Sequence, residues 1–264
     1  MTVTDETSQS HAWPTYPDLA GKVAVVTGGS RGLGAAACRA LASNRVKVAV
    51  NGRDESAIAD VVRELTDAGG EAMPAPADCT DAGALENMRN RVTDDLGPVD
   101  ILLAFAGGGR QPQPLAAINE SEWRTDIDRN LTATFLTMKT FLPPMVSRGT
   151  GSIVTMASVA ARLAGGAPIA YAAAKAGIIV LSQQVAKEAA SHVRVNCLAP
   201  STVVNERMQQ AIPDEQLRQM ATMYPLGRLG VPADVANASL FLASDASSWI
   251  TGITLDIAGG QVMT

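Results

Sequence analysis

From residue 22 onward, short and almost uninterrupted apolar runs alternate with longer helix-like stretches, and this alternation constrains the fold more than any other feature. Residues 22–27 (KVAVVT), 46–51, 71–77, 99–104, 151–157, 193–198 and 253–257 read as strands. Residues 32–43, 55–68, 81–96, 120–147, 170–191 and 233–243 read as helices between them. A strand covered on both faces is apolar throughout rather than at every second position. Such alternation winds through right-handed βαβ crossovers into a parallel sheet. The sequence therefore predicts a single α/β domain over residues 18–264, a doubly wound seven-stranded parallel sheet with helices on both faces. Residues 1–17 are polar and acidic and read as a flexible tail rather than a secretory signal. In open sheets of this kind ligands bind beyond the C-terminal strand ends, so chemistry is expected just after each strand.

Composition narrows the partners. The net charge is −5 and aromatics make up only 4% of residues. With no basic stripe, nucleic acid is not expected as a partner. Cys38, Cys79 and Cys197 lie far apart with no CxxC pair, which fits a reducing, cytoplasmic setting. His11 and His192 are the two histidines, without ligand spacing, so no metal site is expected. No apolar run reaches 18 residues, so no membrane span is expected.

The first strand runs into Thr27-Gly28-Gly29-Ser30-Arg31-Gly32-Leu33-Gly34, which opens a helix. Glycines permit a tight turn and close backbone approach, and the helix N-terminus offers free N–H groups to a pyrophosphate. A plain glycine-rich turn is the alternative, but the strand–loop–helix setting favours dinucleotide binding. At the end of the second strand Gly52 stands where a carboxylate would clasp the ribose of NAD, and Arg53 follows. Arg31 and Arg53 together suit a 2′-phosphate, so NADP(H) is expected before NAD(H), with the adjacent Asp54 as the residue arguing against it. Asp78 either accepts from the adenine amino group or caps the next helix. Ala106-Gly107-Gly108-Gly109, after the fourth strand, lets the backbone pass close to ribose and nicotinamide, or is a flexible loop.

Tyr171 and Lys175 are one helical turn apart on one face. A phenol ordinarily titrates near pH ~10, and a neighbouring ammonium favours the phenolate. Tyr171 is therefore the expected proton donor or acceptor at a carbonyl or carbinol oxygen while hydride moves, and Lys175 could also grip the nicotinamide ribose. Ser158, at the end of the fifth strand, could hold the same oxygen or merely cap a turn. Asn130 lies within a long helix and either binds water or a backbone carbonyl, or is simply exposed.

Together these residues resemble the short-chain dehydrogenase/reductase family, in its compact single-domain Rossmann-fold branch, across nearly the whole chain. Thr27–Gly34 looks like its TGxxxGxG motif, Tyr171/Lys175 like its YxxxK motif, and Asn130 and Ser158 match the rest of its tetrad. The resemblance implies Tyr171 as acid/base, Lys175 as ribose ligand, Ser158 as holder of the substrate oxygen and Asn130 as support for a water relay. It also implies cofactor contacts at Ser30, Leu33, Cys79, Phe105, Pro200, Val203 and Asn205, and oligomers (a homotetramer or dimer) formed through the two long helices. The chain departs from the pattern at Ala104-Phe105, where two amide side chains are usual, at Ser201, at Asn205 and at Ala258. The lost amides leave strand-linking bonds to be made otherwise, and Phe105 is expected to add bulk near the cofactor.

The activity expected is an NADP(H)-dependent carbonyl reductase or alcohol dehydrogenase acting on a small molecule. Reduction of a 3-oxoacyl thioester on a carrier protein is the alternative, weakened by His192 where an Arg is usual and by the acidic net charge. A non-catalytic dinucleotide-binding module and a nucleotide-sugar epimerase or dehydratase are further alternatives. Residues 203–224 mix Met, Leu and Ile with charges and read as a lid over a moderately apolar substrate.

Overall fold

The computed structural model describes residues 12–263. Seven parallel strands form one sheet in the order β3-β2-β1-β4-β5-β6-β7: β1 (Val23–Thr27), β2 (Lys47–Val50), β3 (Ala72–Pro74), β4 (Ile101–Ala104), β5 (Ser152–Met156), β6 (Arg194–Pro200) and β7 (Thr254–Ile257). The order reverses between β1 and β4, which opens a crevice at their C-terminal ends. Successive β1 residues feed opposite faces. Ala24 and Val26 join the core beneath α1 (Gly32–Ser43) and α9 (Pro232–Ala243). Val23 and Val25 join the core beneath α3 (Ala82–Asp95) and α5 (Ala133–Arg148), where Phe141 and Met145 are fully buried. Both faces are thus covered, which is why the strands read as continuous apolar runs.

Helix starts follow local chemistry. Asp54 caps α2 (Glu55–Asp67) by accepting from the Ala57 N–H, and Asp81 caps α3 through the Ala84 N–H. Asn119 and Glu122 form a reciprocal capping box at α4 (Glu120–Ile127).

Three elements differ from expectation. Strand β3 spans three residues instead of 71–77, because the β2 ladder ends at Val50↔Pro74. Beyond it the Asn51 side chain takes over, donating to the carbonyls of Ala75 (2.9 Å) and Ala77 (3.1 Å). The helix expected over 120–147 is interrupted by a wide π turn at Asp128–Thr132 between α4 and α5. Two short helices, α7 (Glu206–Ala211) and α8 (Asp214–Ala221), lie within the expected lid and build a small core of their own from Val204, Leu217, Tyr224 and Leu229. As for the expected tail, residues 1–11 and with them His11 lie outside the described residues. Trp13 and Tyr16 pack against the α1-side core, and Asn44 donates to the Pro14 carbonyl and accepts from the Tyr16 N–H.

By length and composition α6 (Ile169–Ala189) is apolar enough to cross a membrane. Here one side of it packs beside β6 and buries Lys175, while Val180 on it is exposed.

Candidate active site

The loop after β1 is built for close backbone approach. Gly28 has φ +66°, and a Cβ on it would lie 3.1 Å from the Phe105 carbonyl. A Cβ on Gly34 would lie 2.1 Å from the Gly28 carbonyl, so this glycine is what lets α1 start against β1. Above Gly32 (φ +53°) there is open space. No side chain caps α1, whose N-cap residue is Arg31, so its first N–H groups and positive dipole end face the loop. This cradle fits the pyrophosphate of a dinucleotide. Ser30 packs on Gly52, where a Cβ would meet its hydroxyl at 2.8 Å. Leu33 is half-buried against the core.

At the adenosine end Arg31 does not stand free beside Arg53 as the sequence suggested. Its guanidinium is ion-paired with Asp54, whose other oxygen caps α2. Asp78 is not a helix cap, since Asp81 holds that position. Asp78 accepts from the Thr80 N–H (2.9 Å) and hydroxyl (2.7 Å), and these bonds, aided by nearby Arg53, hold its carboxyl below the usual range. The Cys79 thiol turns inward to the Asn51 side-chain oxygen (3.3 Å), and burial pushes it up to about 11.

Beyond β4 the lost amide side chains are replaced by one hydroxyl. Thr27 Oγ1 accepts from the N–H groups of Phe105 (3.0 Å) and Ala106 (3.1 Å). Phe105 does not crowd the cofactor side, because its ring joins the core beneath α1. Only its backbone lines the crevice, as does that of Ala106.

Tyr171, Lys175, Ser158 and Asn130 converge beyond β4 and β5. The Lys175 ammonium, 3% exposed, donates to the Met156 carbonyl (2.7 Å) and lies 5.4 Å from the Tyr171 ring centroid. Ser158 hydrogen bonds Tyr171 and caps a 3-10 turn through the Ala160 N–H (3.2 Å). Arg162 closes that turn and pairs with Asp256 of β7 (2.5 Å). Pro200, the end of β6, accepts from Ser158 at 3.4 Å. Asn130 is fully buried rather than exposed, and its carboxamide brackets one residue, Gly108, through both of the peptide units it joins. Its oxygen accepts from the Gly108 N–H (3.0 Å), and its nitrogen donates to the carbonyls of Gly108 (3.1 Å) and Asp126 (2.9 Å). Gly107 closes the group, since a Cβ there would meet Asn130 Oδ1 at 2.5 Å and Lys175 Nζ at 3.5 Å. Val203 bridges to Gly230, and Asn205 caps α7 through the Met208 N–H (3.0 Å), so its carbonyl oxygen serves the helix rather than a ligand.

The electrostatics correct one expectation. Lys175 does not pull Tyr171 down in the ligand-free protein. Burial raises the phenol, offset only by the Ser158 bond. Burial also lowers Lys175 to about 8 from its usual 10.5. The native state therefore releases this proton above pH ~8 while the unfolded chain keeps it to ~10.5, so wild-type stability gains with rising pH across that window. Lys175→Met lacks the effect. Between pH 7 and pH 10 wild type is expected to gain roughly 2–3 kcal/mol relative to this variant, measured by denaturant unfolding at each pH. A constant difference would mean that the buried amine is not what titrates.

No part was expected for the Thr27 hydroxyl, although Thr27 opens the glycine motif, nor for Asn51 or Arg129. The available signal was a polar residue at or just beyond the end of an otherwise apolar strand, for Thr27 and Asn51.

Known proteins share this sequence pattern and fold. Residues 28–261 match the family described as Enoyl-(Acyl carrier protein) reductase. The chain is a member of the short-chain dehydrogenase/reductase family. A 3-oxoacyl-[acyl-carrier-protein] reductase of Chlamydia pneumoniae is 37% identical over 92% of this chain and 97% of its own. A 2,5-dichloro-2,5-cyclohexadiene-1,4-diol dehydrogenase of Sphingobium indicum is 35% identical over 92% and 96%. A crystal structure of a Brucella melitensis 3-oxoacyl-[acyl-carrier protein] reductase with bound NAD superposes with a TM-score of 0.85, at 31% identity over 94% of each chain. The protein is thus an oxidoreductase of a family that uses a nicotinamide dinucleotide.

Proposed function

We propose that this short-chain dehydrogenase/reductase reduces a 3-oxoacyl thioester, or a ketone of similar shape, with NADP(H). The observation that carries the reaction type is the Ser158–Tyr171 hydroxyl pair, backed by the buried Lys175. The names of the reductase relatives move the thioester ahead of the simple ketone favoured on sequence grounds, despite His192. The bound nicotinamide supplies the hydride. Ser158 and Tyr171 hold the carbonyl oxygen, and as negative charge develops there Tyr171 donates its proton, leaving a phenolate that solvent reprotonates. A charged Lys175 stabilises that phenolate, and below pH ~8 it carries the charge. Asn130 keeps the Gly108 peptide fixed beside them.

Arg53 supports NADP(H) over NAD(H), with Arg31 recruited when a 2′-phosphate competes for it against Asp54. Arg53→Ser is expected to weaken NADPH binding ~10–100-fold, a loss of about 1.5–3 kcal/mol, while NADH changes little. Equal losses for both cofactors in a fluorescence titration would refute this assignment. Turnover is tested by following NADPH with a 3-oxoacyl thioester, a simple β-ketoester and, in reverse, a cyclic diol. Oxidation of the diol alone would favour the dehydrogenase relative's activity instead. Phe135 and Val180, exposed on α5 and α6, suit association of copies through those helices, so light scattering should give a multiple of the chain mass. The three cysteines are free and buried, in keeping with a cytoplasmic setting that cell fractionation would check.

A further inference from the structure

Three successive glycines, Gly107 to Gly109, form the wall of the candidate site that faces Tyr171 and Lys175. A Cβ on Gly109 would lie 3.6 Å from the Tyr171 ring. Such an arc has no side chains with which to pack, and glycine loses more freedom on ordering than any other residue. Its geometry must therefore be imposed from outside. Thr27 holds the chain just before it, and Asn130 brackets Gly108.

Arg129 adds a second grip on the Gly108 carbonyl. Its guanidinium donates twice to the Gly108 carbonyl, from Nε at 3.1 Å and Nη2 at 2.7 Å. Asp126 orients that guanidinium, with Oδ1 at 3.2 Å from Arg129 Nε and a side chain only 7% exposed. The same carboxylate oxygen receives Arg110 Nε at 3.1 Å, and Arg110 is the residue that ends the glycine arc. Asp126, at the end of α4, and Arg129 and Asn130, in the π turn that follows, all reach the arc or the residue that ends it. One buried carboxylate thus stands between two guanidiniums, one on the helix and one at the far end of the arc.

We propose that Arg129, oriented by Asp126, is a positioning residue that sets the Gly107–Gly109 wall against which the reacting groups meet Tyr171. The kinetic consequence rests on the proposed reductase function; the structural one does not. Arg129→Lys keeps a cation beside Asp126 but replaces a planar fork with a single-point donor. Arg129→Met removes the donors altogether and leaves Asp126 with Arg110 alone.

The test is hydrogen–deuterium exchange of the ligand-free protein, paired with steady-state kinetics. In Arg129→Lys, peptides covering residues 105–110 should exchange at least ~10-fold faster while β1 and β5 are unchanged. Its kcat should fall ~5–20-fold with KM within ~3-fold, and Arg129→Met should lose ~50-fold or more in kcat. Unchanged exchange in the arc of Arg129→Met overturns the proposal, as does wild-type kcat in that variant. If Arg129→Met exchanges faster throughout, Arg129→Lys decides, and a wild-type arc there also overturns it. The exchange data need neither cofactor nor substrate, so failure of the reductase reading, seen as no NADPH consumed by the wild type with any 3-oxoacyl thioester or ketone, is a separate result.

Discussion

Tyr171→Phe is expected to lower kcat for carbonyl reduction ~10²–10⁴-fold while NADPH affinity stays within ~3-fold. The change removes one oxygen and keeps the ring, which is half-buried beside the Gly109 backbone, so packing is conserved. What goes is the proposed proton source and the hydrogen bond to Ser158. A proton then has to come from water, which is a weaker acid and is not held in place. Because burial raises the phenol in the ligand-free protein, the group is a neutral acid at pH 7, the form that reduction requires. Ser158→Ala should be milder, since Tyr171 retains its proton. Near-normal turnover by Tyr171→Phe, with NADPH still bound, would remove Tyr171 from the chemistry.

Gly34→Ala is the second large effect, and two forces oppose each other there. Helix propensity alone favours alanine by about 1 kcal/mol at this position in α1. Sterics oppose it, because the new Cβ would sit 2.1 Å from a backbone oxygen, Gly28 O, that cannot swing aside. Overpacking against a fixed atom costs about 3 kcal/mol or more, so sterics win. The loop must open, which separates the α1 N-terminus from the turn it shares with β1. The expected result is a melting temperature lower by about 6–10 °C and NADPH binding weakened at least ~100-fold. Unaltered NADPH affinity in a folded Gly34→Ala protein would show that this loop is not the pyrophosphate cradle.

Most of the fold was legible because burial on both sheet faces writes itself as continuous apolar strands, and β1, β4 and β5 fell within a residue or two of expectation. Strand β3 was read too long because its apolar character continues where its ladder partner has already ended. The π turn at Asp128–Thr132 was not legible, since an extra residue in one helical turn leaves the composition of a helix intact. In the site, Tyr171 and Lys175 were singled out by residue type and spacing, Ser158 and Asn130 by the family resemblance, and the structure places the four near one another. Side-chain direction was harder to read. Phe105 and Cys79 sit where the chain passes the crevice, yet both turn into the interior, because apolar groups find better partners there. Arg31 was read as a 2′-phosphate ligand beside Arg53 with Asp54 as the residue against it, and its ion pair with Asp54, 23 residues away, forms only once β2 aligns with β1. The direction of the Tyr171 shift depended on burial, which no local spacing encodes.

On the proposed mechanism, hydride passes directly to a carbonyl carbon held by Ser158 and Tyr171. The measurement that tests it uses NADPH carrying deuterium at both C4 positions, a 3-oxoacyl thioester, and mass spectrometry of the product. The expected result is one deuterium on the former carbonyl carbon per NADPH consumed. NADPH left unconsumed, or a hydroxy product without the label, would contradict the assignment.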